Sequence, residues 1–362
     1  MSKTVVVGMS GGVDSSVAAL LLKQSGYDVI GLFMHNWEEE EGGQCTAAQD
    51  WADVQAVCGK LGIPHYSINF SKEYGERVFK YFLDEYSKGR TPNPDVLCNR
   101  EIKFGVFRDY ALKLGSVIAT GHYCDIDELD GAPVLLKAKD TDKDQTYFLC
   151  DTRTEQLRDV MFPLGKMRKS EVRDLATKYG LITSDKKDST GICFIGERKF
   201  RSFLSEYLPA KPGVIVDTAG REIGTHGGLM YYTLGQRRGL GIGGVKGEAQ
   251  ERWYVVEKRL SDNVLVVSCG EGEELLTWGL KTESFNLIGK AELPPIHKCT
   301  AKMRYRQSEQ GVTVKFEDGA AFIKFDCPQR AVTPGQYAVL YDGDRCLGGG
   351  VIEQTYKEKL EF

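Results

Sequence analysis

Apolar and polar positions follow two different rhythms along this chain. Thr4–Gly8 opens with an apolar, β-branched run, which predicts a strand. Val13–Gln24 carries Val17, Leu20 and Leu21 at helical spacing, and Gly26 supplies the stop. Asp28–Met34 reads as a strand and Asp50–Leu61 as a helix closed by Gly62 and Pro64. His65–Phe70 reads as a strand, Lys72–Ser87 and Arg100–Leu114 as helices, and Ser116–Thr120 as a strand. This rhythm predicts a parallel sheet with helices on both faces and ligands at the carboxyl ends of the strands. Around Pro209–Gly213 the pattern changes to short β-rich runs with glycine turns: Gly213–Asp217, Trp253–Lys258 and Val264–Ser268. A second change falls near Glu274–Leu280, followed by Cys299–Tyr305, Val312–Phe316, Ala331-Val332, Tyr337–Tyr341 and Cys346–Ile352. The expected fold is an α/β domain over residues 1–205, a small central β-rich domain over 206–276, and a C-terminal β-barrel over 277–362, in which six strands could close.

Composition narrows the class. At 362 residues the chain is too long for one core. No apolar run approaches the ~20 residues of a membrane span, and the N-terminus lacks a long apolar region and a cleavage site. A cytoplasmic location without membrane association is the expectation. Ten cysteines in no regular framework predict reduced thiols. Without C-x-x-C or H-E-x-x-H, and with five histidines, a dedicated zinc site is not expected. The net charge of −4 argues against a generally basic nucleic-acid binder, so any RNA contact must rest on local clusters.

The strongest local signal is GMSGGVDSS, residues 8–16. Its glycines let backbone N–H groups converge, the helix beginning near Gly12 adds its positive end, and Ser10, Ser15 and Ser16 add hydroxyl donors. The loop lacks the lysine and the spacing of the common P-loop. It resembles the SGGxDS signature of the PP-loop ATP pyrophosphatase superfamily, whose members hold ATP by its phosphates and transfer AMP to an oxygen.

Other motifs are weaker alone. In RTPNPDVLCNREIK, residues 90–103, Cys98 stands near a predicted helix start with Asp95, Arg100 and Lys103 close by. Flanking cations favour a thiolate and a carboxylate accepts a proton, yet a cysteine in such a place is more often a small buried residue. Cys193, in DSTGICFIG at residues 188–196, has the same two readings. Two thiols brought together over an ATP site suit sulfur transfer through a persulfide or a transient disulfide. Lys143-Asp144-Gln145 reads as a solvated loop after a charged hairpin. In KMRYRQ, residues 302–307, alternation puts Lys302, Arg304 and Arg306 on one strand face and Met303 and Tyr305 on the other. That suits phosphate contact and base stacking, or a charged edge strand. GQRRGLGIGG, residues 235–244, contains a literal G-x-G-x-x-G without the flanking strand and helix of a dinucleotide site. Arg237 and Arg238 there suit a phosphate-touching loop or a plain linker.

Taken together, GMSGGVDSS, TPNPDVLCNREIKF, ATGHY, KDQTYFL, DSTGICFIG, YTLGQRRGLGIGG, KMRYRQ and PGQ resemble the bacterial tRNA-specific 2-thiouridylase family over essentially the whole chain. The resemblance implies that Gly8, Met9, Ser10, Gly11, Gly12, Val13, Asp14 and Ser15 bind ATP phosphates, while Met34 and Gly121 meet the adenosine. It implies that Asn93, Pro94 and Asp95 surround an outturned wobble uridine, with Cys98 as nucleophile, Cys193 as persulfide carrier and Asp95 as general acid/base. His122, Lys143, Asp144, Gln145, Arg304, Tyr305 and Gln336 would contact the tRNA. It further implies Mg²⁺ with ATP, tRNAs for lysine, glutamate and glutamine, and sulfur from a cysteine desulfurase or relay protein. The alternatives are a PP-loop synthetase acting on a small molecule and a thiolase whose iron–sulfur cluster uses Cys98, Cys193 and Asp95.

Overall fold

The computed structural model describes residues 3–37, 46–188, 200–242, 252–270, 272–290 and 293–362. The sheet of the first unit is built from β1 (Thr4–Met9), β2 (Asp28–His35), β3 (His65–Asn69) and β4 (Val117–Ala119), with a hairpin β5 (Asp125–Leu129) and β6 (Ala132–Leu136) interposed before its last strand, β7 (Val160–Met161). The spatial order is β3-β2-β1-β4-β7, and every pairing is parallel. Successive residues of β1 serve opposite faces. Val5 and Val7 pack with Ala19, Leu22, Val54 and Val57, whereas Val6 packs with Phe82, Ile102, Phe104 and Phe107. Helices on both faces explain why β1 reads as a continuous apolar run rather than an alternating one. Helix α1 (Val13–Gln24) follows β1 directly, and α2 (Thr46–Leu61) follows β2. Chain order reverses across β1, whose neighbours are β2 and β4, so the loops after β1 and β4 face one crevice.

The central unit is a four-stranded sheet of β8 (Gly213–Asp217), β9 (Glu222–His226), β10 (Trp253–Arg259) and β11 (Val264–Cys269), ordered β10-β11-β8-β9. The C-terminal unit comprises β12 (Leu276–Thr282), β13 (Asn286–Leu287), β14 (Ile296–Lys302), β15 (Gln310–Glu317), β16 (Ala320–Arg330), β17 (Tyr337–Asp342) and β18 (Arg345–Tyr356). Six of these close into a barrel, β12-β16-β15-β14-β17-β18, through pairing of β12 with β18. Full closure removes exposed strand edges.

Three local expectations need correction. The strand expected over Cys299–Tyr305 stops at Lys302, and Met303–Gln307 form a turn. Gln307 closes it, its amide N–H donating to the Arg304 carbonyl and its side-chain oxygen accepting from the Met303 N–H. The alternation proposed for KMRYRQ therefore does not apply; Met303 is buried in the barrel core. Ala331-Val332 is not a strand: Ala331 has φ +52, and the strand lies just before it, in β16. Pro328 hides β16 from a pattern search, but it sits where the β12 pairing shifts register and no ladder donor is needed.

The barrel and the first unit share a core. β6 pairs with β18, and Leu135, Tyr147, Cys150, Tyr337, Tyr341 and Cys346 form one continuous apolar cluster. Among the described residues, no helix is long and apolar enough to cross a membrane.

Candidate active site

The loop after β1 is shaped by two close approaches. Gly11 has φ +73, and a Cβ there would lie 2.7 Å from the Asp50 carbonyl oxygen. A Cβ on Gly121, in the loop after β4, would lie 2.7 Å from the Ser15 nitrogen. Glycine at both positions lets the two loops and the first turn of α1 meet. Ser10 donates its N–H to Ser15 Oγ at 3.2 Å, while Ser15 and Ser16 hydroxyls donate to the Gly12 carbonyl at 3.2 and 2.8 Å. Gly12 caps α1 with no side-chain acceptor, which leaves that end suited to an outside anion. Met9 and Val13 are buried beneath the loop, Gly8 packs beneath the Phe107 ring, and Met34 is half-buried near the end of β2.

A charge network surrounds this cradle that local pattern did not reveal. Asp14 accepts from the Tyr123 hydroxyl at 2.8 Å and from Lys169 Nζ at 2.7 and 2.8 Å. Lys169 also reaches Asp188 at 2.9 Å, which pairs with Arg173 at 2.9 Å and Lys143 at 3.0 Å. Burial opposes ionisation of Asp188, yet Lys169 and Lys143 overcome it and hold its carboxyl at about 2. Lys186 donates to the Gly11 carbonyl at 3.0 Å and pairs with Asp50 and Asp53 at 2.7 and 2.6 Å. Sequence analysis missed Tyr123, Lys169 and Lys186, whose partners Asp14 and Asp50 are more than 100 positions away.

The second group lies on the helix Pro94–Cys98. Asn93 caps it, its side-chain oxygen accepting from the N–H groups of Asp95 and Val96 at 3.2 and 3.4 Å, with Pro94 in the first turn. Helix formation thus starts earlier than expected, and Cys98 lies inside the helical run that continues over Asn99–Phe107. Cys98 is buried. Burial raises the Asp95 carboxyl above its ordinary range, with Lys103 opposing. Burial, and then the charge of Lys103, push buried His122 well below its ordinary value. Neutral His122 has its Nδ1 2.8 Å from Thr120 Oγ1. Lys103 therefore acts electrostatically on both groups. Cys193 lies outside the described residues.

The residues assigned by resemblance to tRNA occupy varied settings. Lys143 is partly exposed on Asp188. Buried Asp144 accepts from the Ala138 N–H and the Thr146 hydroxyl, and Gln145 accepts from the Tyr123 N–H, so these two face inward rather than forming a solvated loop. Tyr305 packs on Phe148 with ring centroids 4.4 Å apart. Arg304 donates to the carbonyls of Leu234 and Ala331, joining the central unit to the barrel. Gln336 donates to the Thr91 carbonyl at 2.8 Å, and a Cβ on Gly335 would lie 2.9 Å from the Thr91 nitrogen. The PGQ turn thus docks on the loop that leads into Asn93.

The chain matches three family models in succession: a tRNA methyl transferase HUP domain over residues 3–197, a tRNA methyl transferase PRC-barrel domain over 201–269, and an aminomethyltransferase beta-barrel domain over 278–352. It is 57% identical over 357 residues to a tRNA-specific 2-thiouridylase of Alkaliphilus oremlandii, covering 98% of each chain. It is 56% identical over 359 residues to the one of Streptococcus sanguinis, covering 98% of this chain and 96% of that one. Among solved structures it is similar to the U34-tRNA thiolase NcsA of Methanococcus maripaludis with its [4Fe-4S] cluster, with 21% identity, TM-score 0.35, and 56% and 63% of the two chains covered. Identity over nearly the full length, running through all three units, assigns the family: the chain belongs to the tRNA-specific 2-thiouridylases.

Proposed function

We propose that this chain, a tRNA sulfurtransferase by family, converts the wobble uridine of lysine, glutamate and glutamine tRNAs to 2-thiouridine by adenylation followed by persulfide sulfur transfer. The supporting observation is the cradle where Gly11, Gly121 and the open start of α1 meet at the reversal of strand order. Glycine at both positions lets the two loops close on the first turn of α1, and the N–H groups gathered there suit the phosphates of ATP. Ser15 and Asp14 offer the hard oxygen ligands that Mg²⁺ accepts.

The C2 carbonyl of uracil is a poor electrophile, and ATP makes it reactive. The C2 oxygen attacks the α-phosphorus, the α–β phosphoanhydride bond breaks, and pyrophosphate leaves. The backbone and serines of Ser10–Ser15 hold the departing phosphates, while Asn93, Pro94 and Asp95 frame the base, which must turn out of its stack. The outer sulfur of a Cys193 persulfide then forms the bond to C2 as AMP leaves, and Cys98 attacks the inner sulfur. Alternatively, Cys98 attacks first and releases hydrosulfide, which adds to C2. Either route ends in a Cys98–Cys193 disulfide that a thiol reductant must reopen. Asp95, its carboxyl raised by burial, holds and returns the proton. A cysteine desulfurase or relay protein reloads Cys193.

The test incubates the protein with ATP, Mg²⁺, a persulfide donor and unmodified lysine tRNA, with nucleosides read by mass spectrometry. 2-Thiouridine should form, and should disappear in both Cys98→Ser and Cys193→Ser. No thiouridine despite ATP binding and an active donor would point to another PP-loop adenylation with a small-molecule substrate.

A further inference from the structure

Lys103 is a half-buried cation that the chemistry above leaves unused. Its side chain makes no hydrogen bond or ion pair with the described residues. Lysines beside the cradle are paired: Lys169 holds Asp14 at 2.7 Å, and Lys186 holds Asp50 and Asp53 at 2.7 and 2.6 Å. A half-buried ammonium without a counterion costs stability. Its place therefore suits an anion that arrives with a substrate.

The helix around it fixes where this charge stands. An ordinary turn over Pro94–Cys98 widens into a π-helix over Asn99–Phe107, whose hydrogen bonds span five residues. Lys103 follows Cys98 by five positions, so it comes round to the side that carries Cys98 and Asp95. Its charge acts on Asp95 of the same helix and on His122 of the loop after β4. The next residue, Phe104, packs on the His122 ring with centroids 5.9 Å apart, and the Phe107 ring lies against Gly8 of β1. Gly121, beside His122, is the residue that closes on the Ser15 nitrogen at the start of α1. Lys103 therefore stands between the phosphate cradle and the turn that carries Asp95 and Cys98. Neither neighbour balances its charge, because burial favours the uncharged form of both Asp95 and His122.

We propose that Lys103 is a further catalytic residue of the adenylation step, its ammonium pairing with the α-phosphate of ATP as the C2 oxygen attacks. This rests on the adenylation reading above. The α-phosphate is the one group of that reaction that must meet both the cradle and the target base. In the step, the bond from the C2 oxygen to the α-phosphorus forms and Asp95 takes the N3 proton of the uracil. The α–β phosphoanhydride bond breaks, and pyrophosphate carries off its electron pair. Lys103 keeps its proton throughout. It neutralises the non-bridging α-oxygens, whose negative charge otherwise repels the incoming oxygen. The same pairing steadies AMP as it leaves in the sulfur step. A cation on this side also suits a Cys98 thiolate, and the test separates the two roles.

Single-turnover pyrophosphate release is measured with saturating ATP, Mg²⁺ and unmodified lysine tRNA, without a persulfide donor. Lys103→Gln should slow release about 100- to 1000-fold, as for loss of one donor to a developing charge. ATP and tRNA affinities should stay near those of the natural protein. Lys103→Arg, which keeps the charge, should recover part of the rate. Lys103→Gln should melt no lower than the natural protein, since an unpaired charge is removed. Release at the natural rate in Lys103→Gln would overturn the proposal; slower alkylation of Cys98 by iodoacetamide in that variant, read by mass spectrometry, would then place the ammonium on the thiolate. Slow release with a lowered melting temperature and no recovery in Lys103→Arg would mark a structural lysine and overturn it as well. No release by the natural protein, with ATP and tRNA bound, would overturn the adenylation reading itself and this proposal with it.

Discussion

Asp95 and Asp188 are both carboxylates near the candidate site, and their surroundings drive them in opposite directions. Asp95 is raised by burial, so keeping it ionised costs stability as pH rises above the ordinary aspartate value. Asp95→Asn removes that cost. We expect the variant to melt higher than the natural protein at pH 7 while its thiouridine yield falls by a hundredfold or more, within the usual range for general acid–base loss. Thermal unfolding and single-turnover assays check both. Asp188 is held at about 2 against an ordinary 3.8. Its ion pairs therefore stabilise fully above about pH 4, and that contribution disappears as pH falls through about 2. The stability gap between the natural protein and Asp188→Asn should be constant from pH 5 to 7 and close between pH 4 and 2, as urea titrations across that range would reveal. A gap that widens on acidification would contradict the pairing.

Glycines at two positions, Gly11 and Gly121, decide how the loops after β1 and β4 meet the start of α1. Gly121 faces the Ser15 nitrogen and the Asp14 backbone, with 2.7 and 2.8 Å available to a Cβ. Neither neighbour is a flexible side chain, so Gly121→Ala must push the loop after β4 away from α1. ATP affinity should fall by at least tenfold, and stability by about 1–3 kcal/mol, measurable by isothermal titration and chemical unfolding. Ala at Gly26, which has open space around it but φ +84, should cost stability through strain alone and leave ATP affinity unchanged. The helix Pro94–Cys98 shows how an element places a residue. An Asn93 cap and a first-turn proline start it at Pro94, ahead of the start expected at Arg100, so Cys98 falls inside the helical run, where it is buried.

Across the molecule, the barrel acts as a brace for the loop that leads into Asn93. The Thr91 N–H donates to the Pro334 carbonyl, Gln336 donates back to Thr91, and Gly335 packs against Thr91 at φ +92. Arg304 ties the same region to the central unit through Leu234. Gly335→Ala should displace the PGQ turn from the Thr91 loop. We expect tRNA thiolation to fall with a raised KM for tRNA, while ATP affinity stays near that of the natural protein. Equal losses toward ATP and tRNA would show general unfolding instead.

The strand–loop–helix at Thr4–Gln24, the βαβ rhythm and the two later β-rich units were legible in the chain because each is a local regularity. Apolar runs, periodic spacing and glycine turns report what a residue's near neighbours must do. GMSGGVDSS was legible for the same reason, since its converging N–H groups belong to consecutive residues. The barrel strand Ala320–Arg330 was obscured by Pro328, tolerated at a break in the ladder, and KMRYRQ passed for a strand although hydrogen bonds from Gln307 fold it into a turn. Lys169 and Lys186 carried no local signal: a lysine's partner is chosen by distance in space, and theirs include Asp14 of α1, the Gly11 carbonyl and Asp50 of α2. Likewise, nothing in the spacing of PGQ or of the Asp125–Leu136 hairpin told that one braces Thr91 and the other extends the barrel sheet. Local chemistry thus named the parts of this protein, and packing among segments far apart in the chain determined which charges and loops share a site.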